Sequence, residues 1–179
     1  MIRKFIWIFL VLTLFFNNSL LAEGENKEVR ISLELSPAGD FDIIYKRPKG
    51  VISKSGESIS SEKVFVKSKR FSTGVELRDT HVAKRLEVEE FPTIEVTGIK
   101  GTEGKGTGTI SVKGIQKEIN FSYTKINDEL MEANFNLSLK DFKIEDIEYM
   151  GIGVQDTIKL RIRLPFSEEV KEETTEEVE

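Results

Sequence analysis

Residues 157–164 read Thr157-Ile158-Lys159-Leu160-Arg161-Ile162-Arg163-Leu164, four apolar side chains alternating with polar or charged ones. Successive side chains on a strand point to opposite faces, so this stretch has one apolar face and one wet face. The same period of two recurs outward along the chain. It places Ile94 with Val96, Ile110 with Val112, Ile119 with Phe121 and Tyr123, and Phe135 with Leu137 and Leu139. The alternate positions are polar: Glu95, Ser111, Asn120, Ser122, Asn134, Asn136 and Ser138. Strands of this kind, with no comparable long helix, must bury their apolar faces against each other in a sandwich or a barrel. The interior of such a barrel is either a packed core or a pocket for something greasy.

Earlier in the chain, Val29–Leu35 alternates and reads as the first strand, ended by Ser36-Pro37-Ala38-Gly39-Asp40. Phe41–Tyr45 reads as the second, and Val51-Ile52 begins a short third after Pro48 and Gly50. The polar run Ser53–Ser61 reads as an exposed turn, and Val64–Phe71 as the next strand, with Val64 and Val66 on one face. Thr73–Phe91 is different in kind. It predicts one or two short helices before Pro92, with Leu77, His81 and Lys84 on one face and Thr73 as the candidate N-cap. Thr93–Ile99 and Thr107–Val112 are expected to pair across a turn near Gly101–Gly104. Lys113-Gly114-Ile115-Gln116 turns the chain again, and Glu118–Ile126 pairs with Leu130–Leu139. A loop over 140–155 leads to the last strand. The prediction is all-β: an eight-stranded, up-and-down antiparallel barrel.

Residues 1–22 are expected to lie outside the fold. Arg3 and Lys4 precede the apolar run Phe5–Phe16, and Leu20-Leu21-Ala22 supplies a cleavage site. That is the pattern of a signal peptide; an uncleaved anchor is the competing reading, and the run is short for a bilayer span. The chain is thus expected to be periplasmic or secreted. Without Arg3 and Lys4 the balance becomes 24 positive and 31 negative residues. Most of the excess lies in Ser167–Glu179, with seven Glu against Lys171, too charged to pack and expected to be a disordered acidic tail. The domain between, 23–166, is near neutral. No basic stripe is present, which excludes a nucleic-acid partner. The chain has no cysteine, so disulfides, thiol catalysis and thiolate metal sites are excluded together.

Five blocks carry a resemblance. Thr73-Gly74-Val75-Glu76-Leu77-Arg78-Asp79-Thr80-His81 resembles the "TGxxxRDxH" segment of the YceI-like, lipocalin-like family. Glu89-Glu90-Phe91-Pro92-Thr93-Ile94 resembles its "xxYPTI", and Gly108–Glu118 its "GxLTIxGVTKxV". Asp141-Phe142-Lys143-Ile144 is similar to "DFGI", and Met150–Asp156 to "MGVGVxDEV". The blocks fall in the family's order over roughly residues 60–165. The resemblance implies a lipocalin-like barrel with a hydrophobic tunnel that binds polyisoprenoids or other fatty amphiphiles, without catalysis. The sequence departs from the pattern at Arg85-Leu86-Glu87-Val88, where an aromatic pair is usual, at Lys143 in place of Gly, and at Lys140 in place of Arg. Residues 29–52 match poorly.

The cavity is expected to be lined by Val64, Val66, Leu77, Ile94, Val96, Ile110, Val112, Ile119, Phe121, Phe135, Leu137, Ile158 and Leu160, with Phe142 and Met150 at an entrance. With nothing polar converging from several strands, the ligand is an isoprenoid or fatty amphiphile whose head group stays at the mouth. Arg78, Asp79 and His81 are the candidates for head-group contact; the alternative is that Arg78 and Asp79 brace the helix against the loop Asp141–Asp156. His81 is the only histidine, which excludes histidine-pair metal sites and disfavours acid–base triads. No metal, cofactor or enzymatic activity is expected. A homodimer is compatible with the sequence, and membrane contact is expected only transiently, for lipid exchange. The reading of a different class is a scaffold or interaction module with a filled barrel.

Overall fold

The alternating stretches are strands in the computed structural model, which describes residues 27–37, 39–145, 147–149 and 152–168. Eleven occur among them: β1 Glu28–Ser36, β2 Asp40–Tyr45, β3 Ile52–Ser55, β4 Ser58–Lys67, β5 Thr93–Thr102 and β6 Lys105–Val112, then β7 Ile115–Lys125, β8 Leu130–Ser138, β9 Glu148–Tyr149, β10 Ile152–Val154 and β11 Thr157–Glu168. The helix α1 spans Glu76–Arg85, and 3-10 turns occupy Ser68–Arg70 and Lys140–Phe142. Residues 1–22, expected to be a leader, and residues 169–179 lie outside the described residues. The last strand runs through Ser167 and Glu168, two residues into the segment expected to be tail.

The barrel is built as anticipated, with two corrections. There are eleven strands, not eight, because the polar run 53–61 is a hairpin between β3 and β4, and the loop 140–155 holds β9 and β10. One pairing is parallel: Phe166, Ser167 and Glu168 of β11 lie beside Ile52, Ser53 and Lys54 of β3, while the other strand pairs are antiparallel. This contact closes a ring of seven, β3-β4-β5-β6-β7-β8-β11. Above it, β11 is flanked by β1, with Val29, Ile31 and Ser32 beside Ile162, Leu160 and Lys159, and β2 pairs with β1 beyond. Backbone bonds between Ile44 and Ser72, and between Lys49 and Phe65, tie the β2 side to the β4 side. The upper half of the wall therefore has eight strands and the lower half seven.

Local chemistry sets the turns and one change of face. Glu103-Gly104 and Lys113-Gly114 have φ of 50° and 79°, and of 50° and 72°, the two-residue turn whose twist matches that of the strands it joins. In β5 the pairing with β6 shifts between Thr97 and Lys100, and Gly98 there has φ 60°. The extra residue is a bulge, so Val96 and Ile99, of opposite parity, both point inward and are buried.

The outer face carries charge across strands. Arg30 on β1 meets Asp42 on β2 at 2.6 Å and Glu28 at 3.1 Å. Arg163 on β11 meets Glu132 on β8 at 2.8 Å, with Arg161 at 3.9 Å. Partial burial would raise the Asp42 carboxyl, but hydrogen bonds from Ser32 and Arg30 outweigh it and hold the group below its ordinary value. At Glu132 burial is likewise outweighed, by Arg163 and Asn134. Asp156, at the 140–142 turn, is lowered by hydrogen bonds from Ser138 Oγ and the Lys140 amide. Carboxylates with lowered folded values stabilise the fold above their unfolded pKa of about 4, and that contribution disappears as pH falls through the folded values. Thermal melts are therefore expected to be flat from about pH 7 to 5 and to move down steadily below about pH 4. A melting temperature that rises on acidification would contradict these assignments.

Candidate functional site

The interior divides in two. In the lower half Ile52, Ile59, Val64, Val96, Ile99, Ile119, Phe121, Tyr123, Met131 and Phe135 converge, leaving a void of only about 50 Å³. Small residues let the aromatic rings fill this space. A Cβ at Gly106, which pairs with Phe121, would run into the Phe121 ring, and one at Gly101 would lie 2.8 Å from the ring of Tyr123. The Tyr123 hydroxyl donates to the Glu57 carbonyl at 3.1 Å, joining the plug to the β3–β4 turn.

The upper half is hollow. A cavity of about 990 Å³ lies beneath α1, walled by Ile31, Leu33, Phe41, Ile43, Ile94, Ile110, Val112, Leu137, Leu139, Ile158 and Leu160. Its volume is at the top of the range of about 300–1,000 Å³ usual for small-molecule pockets. Phe142, 2 % exposed, and Ile144, 7 % exposed, wall one side next to the 140–142 turn. That turn is anchored by Asp156, which accepts from Ser138 Oγ at 2.7 Å and from the Lys140 amide at 2.9 Å. The rim carries charge of both signs. Lys113 is paired with Glu87 at 2.7 Å, Arg85 donates to the Glu145 carbonyl at 3.2 Å, and Arg78, Lys84, Lys143 and Glu148 also border the opening.

Helix α1 roofs the opening without a buried side chain of its own. Val82, and Leu86 just beyond the helix, pack partly against the core. Leu77, expected to face inward, is 65 % exposed at the rim, and His81 is exposed beside it. The cause lies at the N-terminus, where Val75 is the cap residue and offers no side-chain acceptor. Asp79 instead ties the helix to the chain before it, accepting from the Thr73 amide and hydroxyl, both at 2.6 Å, and from Ser72 Oγ at 3.2 Å. These bonds outweigh partial burial and keep the Asp79 carboxyl below its ordinary value. Arg78 lies over the Phe41 ring, 4.5 Å from its centroid. Arg78 and Asp79 thus brace the helix against the 72–73 turn and β2, and the tie to the loop beyond Asp141 is made by Arg85. Asp79→Ala is expected to loosen α1, because a hydrogen bond to a charged group contributes about 1.5–3 kcal/mol. Hydrogen exchange of the α1 amides should then accelerate at least about tenfold, with the strand amides unchanged.

The cavity gathers Leu77, Ile94, Ile110, Val112, Leu137, Phe142, Ile158 and Leu160 from the sequence-based set, with Arg78 and His81 at its edge. Val64, Val96, Ile119, Phe121 and Phe135 belong instead to the filled lower half. Val66 is buried in the core and borders neither space. Asp79 faces the 72–73 turn, and Met150 lies outside the described residues. Among the wall residues missed from the sequence are Ile31, Leu33, Leu35, Phe41 and Ile43. Their alternation along the first two strands was the available signal.

Comparison with known proteins accords with this geometry. A family model described as a YceI-like domain matches residues 23–166. The BcnA protein of Burkholderia cenocepacia superposes with a TM-score of 0.60 at 13 % identity, over 78 % of this chain and 96 % of that one. A polyisoprenoid binding domain from Saccharophagus degradans, implicated in plant cell wall breakdown, gives 0.59 at 11 % identity, over 76 % and 91 %. The YCEI protein of Campylobacter jejuni gives 0.52 at 19 % identity, over 68 % and 81 %. At these identities the likeness is one of fold. No curated protein matches the chain.

Proposed function

The chain belongs to the YceI-like domain family, and from that premise we propose that it is a lipid-binding protein that holds a polyisoprenoid or other long-chain amphiphile in its upper cavity. The observation that carries this reading is the apolar chamber of about 990 Å³ beneath α1. The structural likeness to a polyisoprenoid binding domain supports the same class of cargo. Each buried CH₂ contributes about 0.8 kcal/mol before ordering costs, so an alkyl or isoprenoid chain binds tightly without any specific polar contact. Selectivity among similar chains is correspondingly low, and the filled lower half limits how much chain is swallowed. The head group stays at the mouth.

The reading is non-catalytic. Arg78, Asp79 and His81 do not converge on a common point: Arg78 is spent on Phe41 and Asp79 on the 72–73 turn. Export, with removal of residues 1–22 near Ala22 into a periplasmic or extracellular space, belongs to the proposal and rests on the leader pattern. The scaffold reading draws on the filled lower half and the acidic C-terminal segment, but it leaves the upper chamber without a purpose. Organic extraction of the purified protein, followed by mass spectrometry, tests the choice. Long-chain lipid at a total of near one molecule per chain is expected. Protein that yields nothing, and takes up no long-chain lipid when offered it, would favour the scaffold.

A further inference from the structure

Among the described residues four large hydrophobic side chains are strongly exposed: Val51, Val75, Leu77 and Ile152. Three of these, Val75 at 47 %, Leu77 at 65 % and Ile152 at 45 %, border the mouth of the upper cavity. They come from separate segments, the start of α1 and strand β10, so the greasy rim is not the accident of one loop. Exposed apolar groups gathered in one place mark an interaction surface, whereas scattered ones need no explanation.

The charge at this rim differs from that of the domain that carries it. The whole chain has a formal net charge of −5, but most of the excess lies in Ser167–Glu179 and the domain 23–166 is near neutral. Bordering the opening, Arg78, Lys84, Arg85, Lys113 and Lys143 face Glu87, Glu145 and Glu148. Glu87 is taken by Lys113, and Asp79 on the helix by Thr73 and Ser72. Lys84 and Lys143 are both exposed, and Arg78 is half-buried over Phe41. The mouth is therefore apolar and net positive on a near-neutral domain.

We infer that this rim is a docking surface for an anionic phospholipid bilayer. Val75, Leu77 and Ile152 enter the acyl boundary, and Lys84 and Lys143 meet the phosphate head groups. A bilayer matches both features at once, because it offers an apolar interior under a negative surface. Docking in this orientation sets the cavity opening against the membrane, giving a continuous apolar path from acyl chains to the chamber. The inference rests on the proposed lipid cargo for its purpose, but not for its measurement.

Flotation of the full chain with phosphatidylcholine vesicles, with and without phosphatidylglycerol, provides the test. Binding is expected on the anionic vesicles, weakening with added salt and much weaker on the neutral ones. Each basic residue at a membrane surface is worth roughly a fivefold change in partition, so Lys84→Glu with Lys143→Glu is expected to reduce binding at least about tenfold. Leu77→Ser with Ile152→Ser is expected to reduce it comparably while the circular dichroism melt stays unchanged, since both positions are exposed. No flotation of the wild type, or equal flotation of the serine variant, overturns the inference. So does binding to an acidic protein surface with none to vesicles. Cargo extraction from the same wild-type preparation separates the two readings. Cargo without vesicle binding ends docking alone, and vesicle binding without cargo leaves docking standing while the carrier reading fails.

Discussion

Ile158→Trp is expected to reduce the amount of cargo retained while leaving the delipidated protein as stable as before, or more so. Ile158 on β11 stands opposite Leu137 on β8, and both wall the upper chamber. An indole there grows into empty space, gaining contacts instead of displacing neighbours. The matching substitution in the lower half behaves in the opposite way. Val96→Trp pushes into a region with about 50 Å³ to spare, and overpacking of that kind costs about 1–3 kcal/mol. The comparison must be made on delipidated protein, because a bound ligand adds its own stabilisation by mass action. A fall in extractable lipid for Ile158→Trp, with a melting temperature unchanged or raised, is the expected result. Equal destabilisation by both substitutions would mean that the upper half is not hollow.

Phe121→Ala is expected to have the largest effect on stability, about 3–5 kcal/mol in urea unfolding of the delipidated protein. The ring is 9 % exposed and lies over Gly106 on the neighbouring strand, a position where no other residue leaves it room. Removing it takes away buried apolar surface and leaves a void in the lower half of the barrel. A loss below about 1 kcal/mol would show that the lower half collapses around the deletion instead of holding a void.

These two substitutions also mark where the sequence stopped being legible. Strands β6, β7, β8 and β11 were readable because alternation is a local property, and the turns at Gly104 and Gly114 carry their own positive-φ signature. Helix α1 was readable from the break in that alternation. The division of the interior was not, because it depends on pairs far apart in sequence. Phe121 and Tyr123 look like any inward aromatic residues until Gly106 and Gly101 are set against them. Gly98 hid a change of face: strict alternation from Ile94 places Ile99 outside, and one bulged residue brings it in. The orientation of α1 was lost for a related reason, since Asp79 reaches back to Thr73 and so fixes which side of the helix meets the barrel. The segment 140–155 reads as loop because β9 and β10 span two and three residues, too few for a period to show.

The first strand hydrogen-bonds to the last, and β3 finds its parallel partner only in residues 166–168. Until β11 has emerged from the ribosome, the facing edges of β1 and β8 stay open and the chamber has no wall on that side. Closure is thus a late event with a large separation between partners, which makes folding slow relative to a helical domain of the same length. A chain cut short before Thr157 would present the same unpaired edges permanently, and self-association through them is its natural fate.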